Sequence, residues 1–242
     1  MFEHLPVLAP DPILGLSIAF KKDNNPAKID LGVGVYKDEQ GNTPILKAVV
    51  EAQKQLMETE KSKVYITPQG VQGFIDGMLE LILGKASPIL LANRVAAVQA
   101  PGGCGALRIL AELLKRCNTE TKVWVSDPTW ANHIPLIGDA GLEIVTYPYF
   151  DKTTASIKFD EMMSCLAQVK KGDVVLLHGC CHNPTGADLT REQWQSLAKL
   201  ANEVGFLPFI DLAYQGFGDG LEDDAYGLRL MAESVPEMII AA

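Results

Sequence analysis

The sequence lacks the features that mark several classes of protein. It has no cluster of Lys and Arg and a formal net charge of −9, which argues against a nucleic-acid partner because phosphate backbones are bound by clustered basic side chains. No apolar run approaches the roughly 20 residues needed to cross a bilayer, and residues 1–10 carry no secretion signal. We therefore expect no membrane partner and a cytoplasmic location.

Cysteine is scarce, and its spacing excludes further classes. The five cysteines form no CxxC pair and no regular framework, a usage that favours a reducing compartment. Cys180, Cys181 and His182 are adjacent, but neighbouring residues of a strand point to opposite faces and rarely bind one ion together. The sequence therefore predicts no metal site.

Short β-rich runs alternate with helical stretches from about residue 92 onward. The predicted strands are residues 95–99, 122–126, 142–147, 174–179, 207–212 and 238–242. Between them the apolar spacing predicts helices at residues 106–116, 132–139, 160–169, 190–204 and 224–233. This alternation is typical of an α/β fold with a mostly parallel sheet and helices on both faces.

The first ninety residues follow a different pattern. Asp11 and Pro12 are suited to cap and begin a short helix, and residues 44–59 predict a helix with a polar face. We interpret residues 1–45 as an amino-terminal arm with a loop and residues 46–242 as one large domain.

In an open α/β sheet, ligands bind at the carboxyl ends of the strands, and four of the predicted strands are followed by chemically distinctive residues. Gly102, Gly103 and Cys104 follow the first strand and open directly into a helix. Glycines let the backbone approach a ligand, and the free amides of a first helical turn bind phosphate. A tight strand-to-helix turn is the alternative interpretation.

Two further strands are followed by an aromatic side chain and an amide. Trp130 comes after the second strand, where its indole is placed to stack on a planar ring or to pack in the core. Asn183 stands beside a proline in the turn after residues 174–179, and its side chain offers an amide donor.

At the fourth of these places, Asp211 follows the apolar run of residues 207–210, with Tyr214 three residues later. A carboxylate at the end of a buried strand is costly without a partner, which implies a cation facing it or a turn that it caps. Together, the four places suit a ligand with a phosphate, a planar ring, a ring cation and an acidic hydroxyl. Pyridoxal phosphate has all four, and a carboxylate facing its pyridine nitrogen keeps that nitrogen protonated.

The strings PGGCGALR, DPTWANH, HGCCHNPTG and DLAYQGF, in this order, resemble class I aminotransferases of the aspartate and aromatic amino acid group. The earlier strings DPILGL and DLGVGVYKDEQG resemble the arm and the substrate-side loop of the same family. The resemblance covers the whole chain. It implies the large domain of a pyridoxal-phosphate enzyme with an amino acid and a 2-oxo acid, such as 2-oxoglutarate, as its substrates.

The resemblance also implies a role for each candidate residue. Gly102, Gly103 and Cys104 would hold the phosphate, and Trp130 would cover the ring. Asp211 would face the pyridine nitrogen with His133 behind it, while Asn183 and Tyr214 would donate to the phenolic oxygen. Tyr65 would reach the phosphate of a neighbouring subunit, which implies a homodimer, and Val33 and Gly34 would lie beside the carboxylate of the substrate.

Two departures from the family pattern affect these expectations. Cys104 stands where relatives usually have a hydroxyl, and a thiol is a weaker donor. The family's Schiff-base lysine is expected just after the last strand, so the large domain is expected to be incomplete within residues 1–242. We therefore expect residues 1–242 alone to be inactive in transamination.

Two other classes of protein stay open. A non-catalytic module would keep the pyridoxal-phosphate cleft without the lysine. A nucleotide-binding enzyme of the Rossmann kind is disfavoured, because Arg108 occupies the place of the third glycine that packs the helix on the strand. The sequence does not decide between a preference for aspartate and one for aromatic amino acids.

Overall fold

The computed structural model describes residues 3–4, 12–29 and 34–242. For residues 12–14 it describes the backbone only. The chain divides into two compact units, Met1–Val64 and Tyr65–Ala242. This boundary reflects compactness alone, so the division at residues 45 and 46 into an arm and a large domain stays a prediction. No helix in the described part of the chain is both long and apolar enough to cross a membrane.

The described residues of the first unit form two helices, α1 (Pro12–Lys22) and α2 (Lys47–Thr59). Pro12 begins α1, as predicted, since its fixed φ suits the first helical position. The predicted helix at residues 44–59 starts three residues late, because Leu46 has an extended backbone with φ −58° and ψ 139°.

The second unit is built on a five-stranded parallel sheet. Its strands and a short antiparallel pair are β1 (Lys122–Asp127), β2 (Glu143–Pro148), β3 (Phe150–Asp151), β4 (Ser156–Ile157), β5 (Val174–His178), β6 (Leu207–Asp211) and β7 (Ile239–Ala241). The sheet order is β2-β1-β5-β6-β7, while β3 and β4 pair with each other. The predicted α/β class is confirmed.

Seven helices surround this sheet: α3 (Gln72–Leu83), α4 (Pro88–Leu91), α5 (Gly102–Cys117), α6 (His133–Gly138), α7 (Phe159–Leu166), α8 (Arg191–Val204) and α9 (Tyr226–Ser234). The predicted helices from residue 106 onward all form, with ends that differ by a few residues. Thr190 fixes the start of α8, because its hydroxyl accepts the N–H of Gln193 while the Gln193 side chain accepts the N–H of Thr190.

Alternation along the strands places a hydrophobic core on each face of the sheet. Val174 and Leu176 of β5 pack with the helices α5 and α6 in one core. Val175 and Leu177 point the other way and pack with α7, α8 and α9. The helices therefore cover both faces of the sheet, as the sequence predicts.

One predicted strand is wrong: residues 95–99 form no strand. Within the described part of the chain, no strand is hydrogen-bonded to this segment, and the N–H of Gln99 donates instead to the carbonyl of Gln69, 2.8 Å away. The segment lines an apolar groove of about 360 Å³ together with α3, α5 and the edge strand β7. A β-rich sequence becomes a strand only where a neighbouring backbone supplies hydrogen bonds.

Candidate active site

A cavity of about 100 Å³ lies at the carboxyl ends of the central strands. Its walls are formed by Gly103, Leu107, Trp130, His178, Cys180, Asn183, Asp211, Ala213 and Tyr214. The register pairs His178 of β5 directly with Asp211 of β6, so the last residues of two neighbouring strands open onto the same space. The cavity thus unites Gly103, Trp130, Asn183, Asp211 and Tyr214, which stand on four separate sequence segments.

The amino terminus of α5 forms one side of this cavity. A methyl group on Gly103 would meet no atom within 4 Å, so the backbone there borders open space. Gly105 is different, since a methyl group would lie 2.8 Å from Cδ of Pro101 and would block the tight entry to the helix. Cys104 is exposed, and Gly102 borders the apolar groove rather than the cavity.

Asp211 has a histidine partner. Its Oδ2 lies 2.8 Å from Nε2 of His133, which is fully buried, while the Asp211 side chain keeps 14% of its surface exposed. The sequence implied a cation facing this carboxylate or a turn that it caps; the structure shows a hydrogen-bonded imidazole beside it. Asp211 is thereby held at the cavity wall with one oxygen already hydrogen-bonded.

A chain of hydrogen bonds behind Asp211 fixes which nitrogen of each histidine carries a proton. The N–H of Asn183 donates to Nδ1 of His178 (3.3 Å), so the proton of His178 lies on Nε2 and is donated to the hydroxyl of Thr129 (3.1 Å). That hydroxyl donates to Nδ1 of His133 (2.8 Å), which leaves Nε2 of His133 to donate to Asp211. With these tautomers every bond from the Asn183 amide to Asp211 has one donor and one acceptor, and Asp211 accepts from Nε2 of His133.

The titration of His178 agrees with this arrangement. Burial lowers the pKa of His178 far below its usual range, and the nearby rings of His182 and His133 lower it further. His178 therefore stays neutral, as the donor-and-acceptor role of its ring requires.

Trp130 lies between the cavity and the core, and its predicted stacking on a planar ring stays a prediction. Its indole lines the cavity and also packs against the core below the sheet. The ring meets His133 edge to face, with centroids 5.3 Å apart and planes at 89°. The contact holds the indole at a fixed angle beside the Asp211 and His133 pair.

Asn183 and Tyr214 meet on another wall of the cavity. Nδ2 of Asn183 lies 3.3 Å from the hydroxyl oxygen of Tyr214 and donates to it. Tyr214 keeps 40% of its surface exposed, so its phenol borders both the cavity and the outside. Two donor side chains from loops far apart in sequence are therefore adjacent at one edge of the sheet.

His182 ties together the loops after β1 and β5. The hydroxyl of Ser126 donates to the carbonyl of Pro128, so it accepts from Nε2 of His182 at 2.9 Å. Nδ1 of His182 accepts from the hydroxyl of Thr185 at 2.8 Å, and the ring stacks on Tyr149. Burial lowers the pKa of His182 to about 4, which keeps the imidazole neutral in this role.

Other predicted residues lie elsewhere. Tyr65 is fully exposed and is not part of the cavity wall. Gly34 belongs to the first unit, and Val33 lies outside the described residues. Their predicted roles, like those of Gly102 and Cys104, stay predictions. Within the described residues, no group of three or more His, Cys, Asp or Glu side chains is arranged to hold a metal ion.

Sequence reasoning missed His178, Thr129, Cys180, Leu107 and Ala213 as neighbours of the site. His178 carried a usable signal, because it follows the apolar run of residues 174–177 as Asp211 follows that of residues 207–210. Thr129 carried none, since its role depends on two histidines that only the fold brings to either side of its hydroxyl.

Known proteins resemble this chain in sequence and in fold. The family model for aminotransferase class I and II matches residues 26–242. The chain is 48% identical over 242 residues to the aspartate aminotransferase of Haemophilus influenzae and 50% identical to the aromatic-amino-acid aminotransferase of Paracoccus denitrificans. In both comparisons the match includes all of this chain and 61% of the relative.

A solved structure extends the likeness to three dimensions. The aromatic-amino-acid aminotransferase of Burkholderia pseudomallei, covalently bound to pyridoxal phosphate, superimposes with a TM-score of 0.96 at 42% identity. The match covers 99% of this chain and 60% of that protein. Sequence, fold and the extent of the match agree, and the chain belongs to the aminotransferase class I and II family.

Proposed function

We propose that this chain is the cofactor-binding part of a pyridoxal-phosphate aminotransferase. The enzyme would move an amino group between an L-amino acid, aspartate or aromatic, and a 2-oxo acid such as 2-oxoglutarate. A cytoplasmic homodimer is part of the same proposal. The observation that carries it is the single cavity in which the Asp211 and His133 pair, the Trp130 indole and the start of α5 come together.

The described residues fit the cofactor chemically. The α5 amides near Gly103 would hold the phosphate, because that backbone borders open space at a helix amino terminus. Trp130 would cover one face of the ring, and Asp211 would keep a proton on the pyridine nitrogen. When bound, pyridoxal phosphate supplies an electron-accepting ring for loss of the proton on the substrate's α-carbon.

The remaining side chains of the site would tune that ring. Asn183 and Tyr214 would donate to its phenolic oxygen and favour the ionised form. His133 would donate a charge-assisted hydrogen bond to Asp211 from Nε2, while its Nδ1 lies beside the hydroxyl of Thr129.

We further propose that residues 1–242 by themselves do not transaminate. None of the nine residues that form the cavity wall is a lysine. Lys170 and Lys171 precede the amino end of β5, whereas the cavity lies at the carboxyl ends of the strands. The amine that attaches the cofactor and moves the substrate proton would on this proposal come from outside the cavity wall formed within residues 1–242.

The decisive experiment compares two proteins: residues 1–242 and the complete polypeptide that the gene encodes. Each is mixed with pyridoxal phosphate, and its absorbance spectrum and transamination of aspartate or phenylalanine with 2-oxoglutarate are recorded. Borohydride reduction and mass spectrometry then locate any lysine that carries the cofactor. We expect cofactor attachment and turnover in the complete polypeptide and neither in residues 1–242.

A pair of carboxylate variants tests the site itself. Asp211→Asn removes the charge that would face the pyridine nitrogen, whereas Asp139→Asn changes an exposed carboxylate at the end of α6. We expect only Asp211→Asn to alter the spectrum and abolish turnover. Turnover by residues 1–242 would contradict the proposed inactivity, and a normal Asp211→Asn spectrum would contradict the proposed ring position.

The structure further weakens the nucleotide-binding alternative. The guanidinium of Arg108, at the place of a third glycine, pairs with Glu112 at 2.8 Å and donates to the carbonyl of Asp139. The side chain is thus accommodated beside α5, and the close helix approach that a third glycine permits is not used here.

A further inference from the structure

We propose that Asp224 is a positioning residue for Tyr214. Its carboxylate folds the loop after Tyr214 so that the phenol stands beside Asn183 at the cavity. This inference rests on the proposed function, since the phenol is proposed to act on the phenolic oxygen of pyridoxal phosphate.

Asp224 is a buried carboxylate surrounded by backbone amides. Its Oδ2 accepts the N–H of Gly216 at 2.7 Å and that of Gly218 at 3.0 Å, while Oδ1 accepts the N–H of Asp219 at 2.8 Å. The side chain of Asp224 is not part of the cavity wall, and only 6% of the residue is exposed. Its contacts therefore act on the loop and not on a ligand.

The charge of Asp224 is stabilised by this loop. Burial raises the pKa of Asp224, but the N–H groups of Gly218, Asp219, Gly216 and Gly220 more than offset that effect, so the pKa is lowered overall. The carboxylate stays ionised, and each amide gives a charge-assisted hydrogen bond that an uncharged side chain would not replace.

The sequence of the loop is adapted to this carboxylate. A methyl group on Gly218 would lie 2.6 Å from Oδ1 of Asp224, a distance that forces either the loop or the carboxylate to move. Gly216 has a φ of +95°, which side chains disfavour. The loop wraps the carboxylate closely because glycine stands at both places.

The same loop is fixed to the rest of the second unit immediately after Tyr214. Nε2 of Gln215 donates to the carbonyl of Leu81 at 3.0 Å and to that of Leu221 at 2.8 Å. The N–H of Phe217 donates to the carbonyl of Tyr214 at 3.0 Å. Tyr214 is therefore held between the end of β6 on one side and the loop around Asp224 on the other.

A second loop at the cavity has a similar design. Asp188 accepts the N–H groups of Cys181 and His182, at 2.6 and 2.8 Å, and so shapes the turn that presents Asn183. The two donors at this wall, Asn183 and Tyr214, thus both stand on loops that close around a carboxylate. Only the carboxylate of Asp224 is buried; Asp188 is exposed.

The test uses the complete polypeptide loaded with pyridoxal phosphate and measures the pH midpoint of the absorbance change of the bound cofactor. Tyr214→Phe removes a donor to the phenolic oxygen, which should move the midpoint to higher pH by up to about one unit. Asp224→Asn should move it in the same direction. In the Tyr214→Phe background, Asp224→Asn should add no further shift, because it acts through that hydroxyl.

Two more variants keep the result interpretable. Asp223→Asn removes the neighbouring exposed carboxylate, which pairs with Arg191 at 2.5 Å, and should leave the midpoint unchanged. Gly218→Ala crowds the carboxylate and leaves its charge in place, so it should reproduce a smaller shift if Asp224→Asn does not fold. In the cofactor-free protein, the amides at residues 216–219 should exchange hydrogen faster in Asp224→Asn than in the wild type, and at the wild-type rate in Asp223→Asn.

Several results would overturn the inference. An equal shift from Asp224→Asn with and without the Tyr214 hydroxyl would show that Asp224 acts by another route. An unchanged midpoint in both Asp224→Asn and Gly218→Ala, with normal cofactor absorbance, would reject the positioning role and leave the proposed function standing. A wild-type protein without cofactor absorbance would reject both proposals.

Discussion

The polar cavity and the apolar groove lie beside the same sheet, yet they are built in opposite ways. The cavity lies where β5 and β6 end side by side, and its histidines, Thr129 and Asp211 are joined by directed hydrogen bonds. The groove borders the edge strand β7, and its lining contains no titratable side chain. Paired strands that end side by side bring polar side chains from separate segments together, whereas the groove is lined mostly by apolar side chains.

Substitutions in the core test this comparison with the largest expected effect. Phe209 is fully buried in the paired part of the sheet, whereas Leu113 lines the groove and is 49% exposed. Phe209→Ala should lower the free energy of unfolding by about 3–5 kcal/mol because it leaves a cavity, and Leu113→Ala should cost less than about 1 kcal/mol. Urea denaturation of residues 1–242 measures both, and equal losses would show that the groove is packed as tightly as the core.

The hydrogen-bond chain behind Asp211 predicts the next largest effect. His133→Phe removes the donor to Oδ2, a charge-assisted bond worth about 1.5–3 kcal/mol, so pyridoxal phosphate should bind roughly 10- to 100-fold more weakly. Thr129→Val interrupts the chain one bond earlier and should weaken binding less. Fluorescence titration with the cofactor measures both. Unchanged binding in His133→Phe would show that His133 does not support binding of pyridoxal phosphate.

Acid should lower the free energy of unfolding through the histidines near the cavity and not through the groove, whose lining has no titratable side chain. The pKa of His182 is lowered to about 4 from an ordinary 6.5, so the folded state binds fewer protons than the unfolded state between these pH values. The free energy of unfolding should therefore fall as the pH is lowered from about 6.5 to about 4, by at most about 1.4 kcal/mol per pH unit for each such histidine.

The variant His182→Gln separates this contribution from that of His178, whose pKa is also lowered by burial. Denaturation curves across this pH range should have a shallower pH dependence in His182→Gln than in the wild type. An identical dependence would mean that His182 does not set the acid sensitivity.

The smallest expected effect concerns Cys104, the residue after Gly103 in α5. Cys104→Thr replaces a weak thiol donor with a hydroxyl at the third residue of α5, and should strengthen binding of pyridoxal phosphate by about 0.5–1.5 kcal/mol. Cys117→Thr, an exposed cysteine at the other end of the same helix, is the matched control. Equal affinities in all three proteins would place Cys104 outside the phosphate contact.

Local sequence was sufficient to predict most elements and the main residues of the site. Short β-rich runs predicted the strands around Val123, Val175 and Phe209, and the positions of Gly103 and Asp211 after such runs predicted that they lie together, as the cavity shows. The same reasoning failed at residues 95–99, which have a strand composition but no strand partner among the described residues. It also missed α3 in the second unit, where Gln72–Leu83 forms a helix.

The sequence alone determined which residues have the right chemistry: glycines where backbone must approach a ligand, an indole, and a carboxylate at the end of an apolar strand. Only the tertiary structure decided how they cooperate. The tautomers of His178 and His133 and the position of Tyr214 depend on hydrogen bonds between residues far apart in sequence, 78 positions for His133 and Asp211 and 134 for Gln215 and Leu81. Such bonds require atoms to meet within a few tenths of an ångström, and packing of the whole sheet, not local sequence, sets those distances.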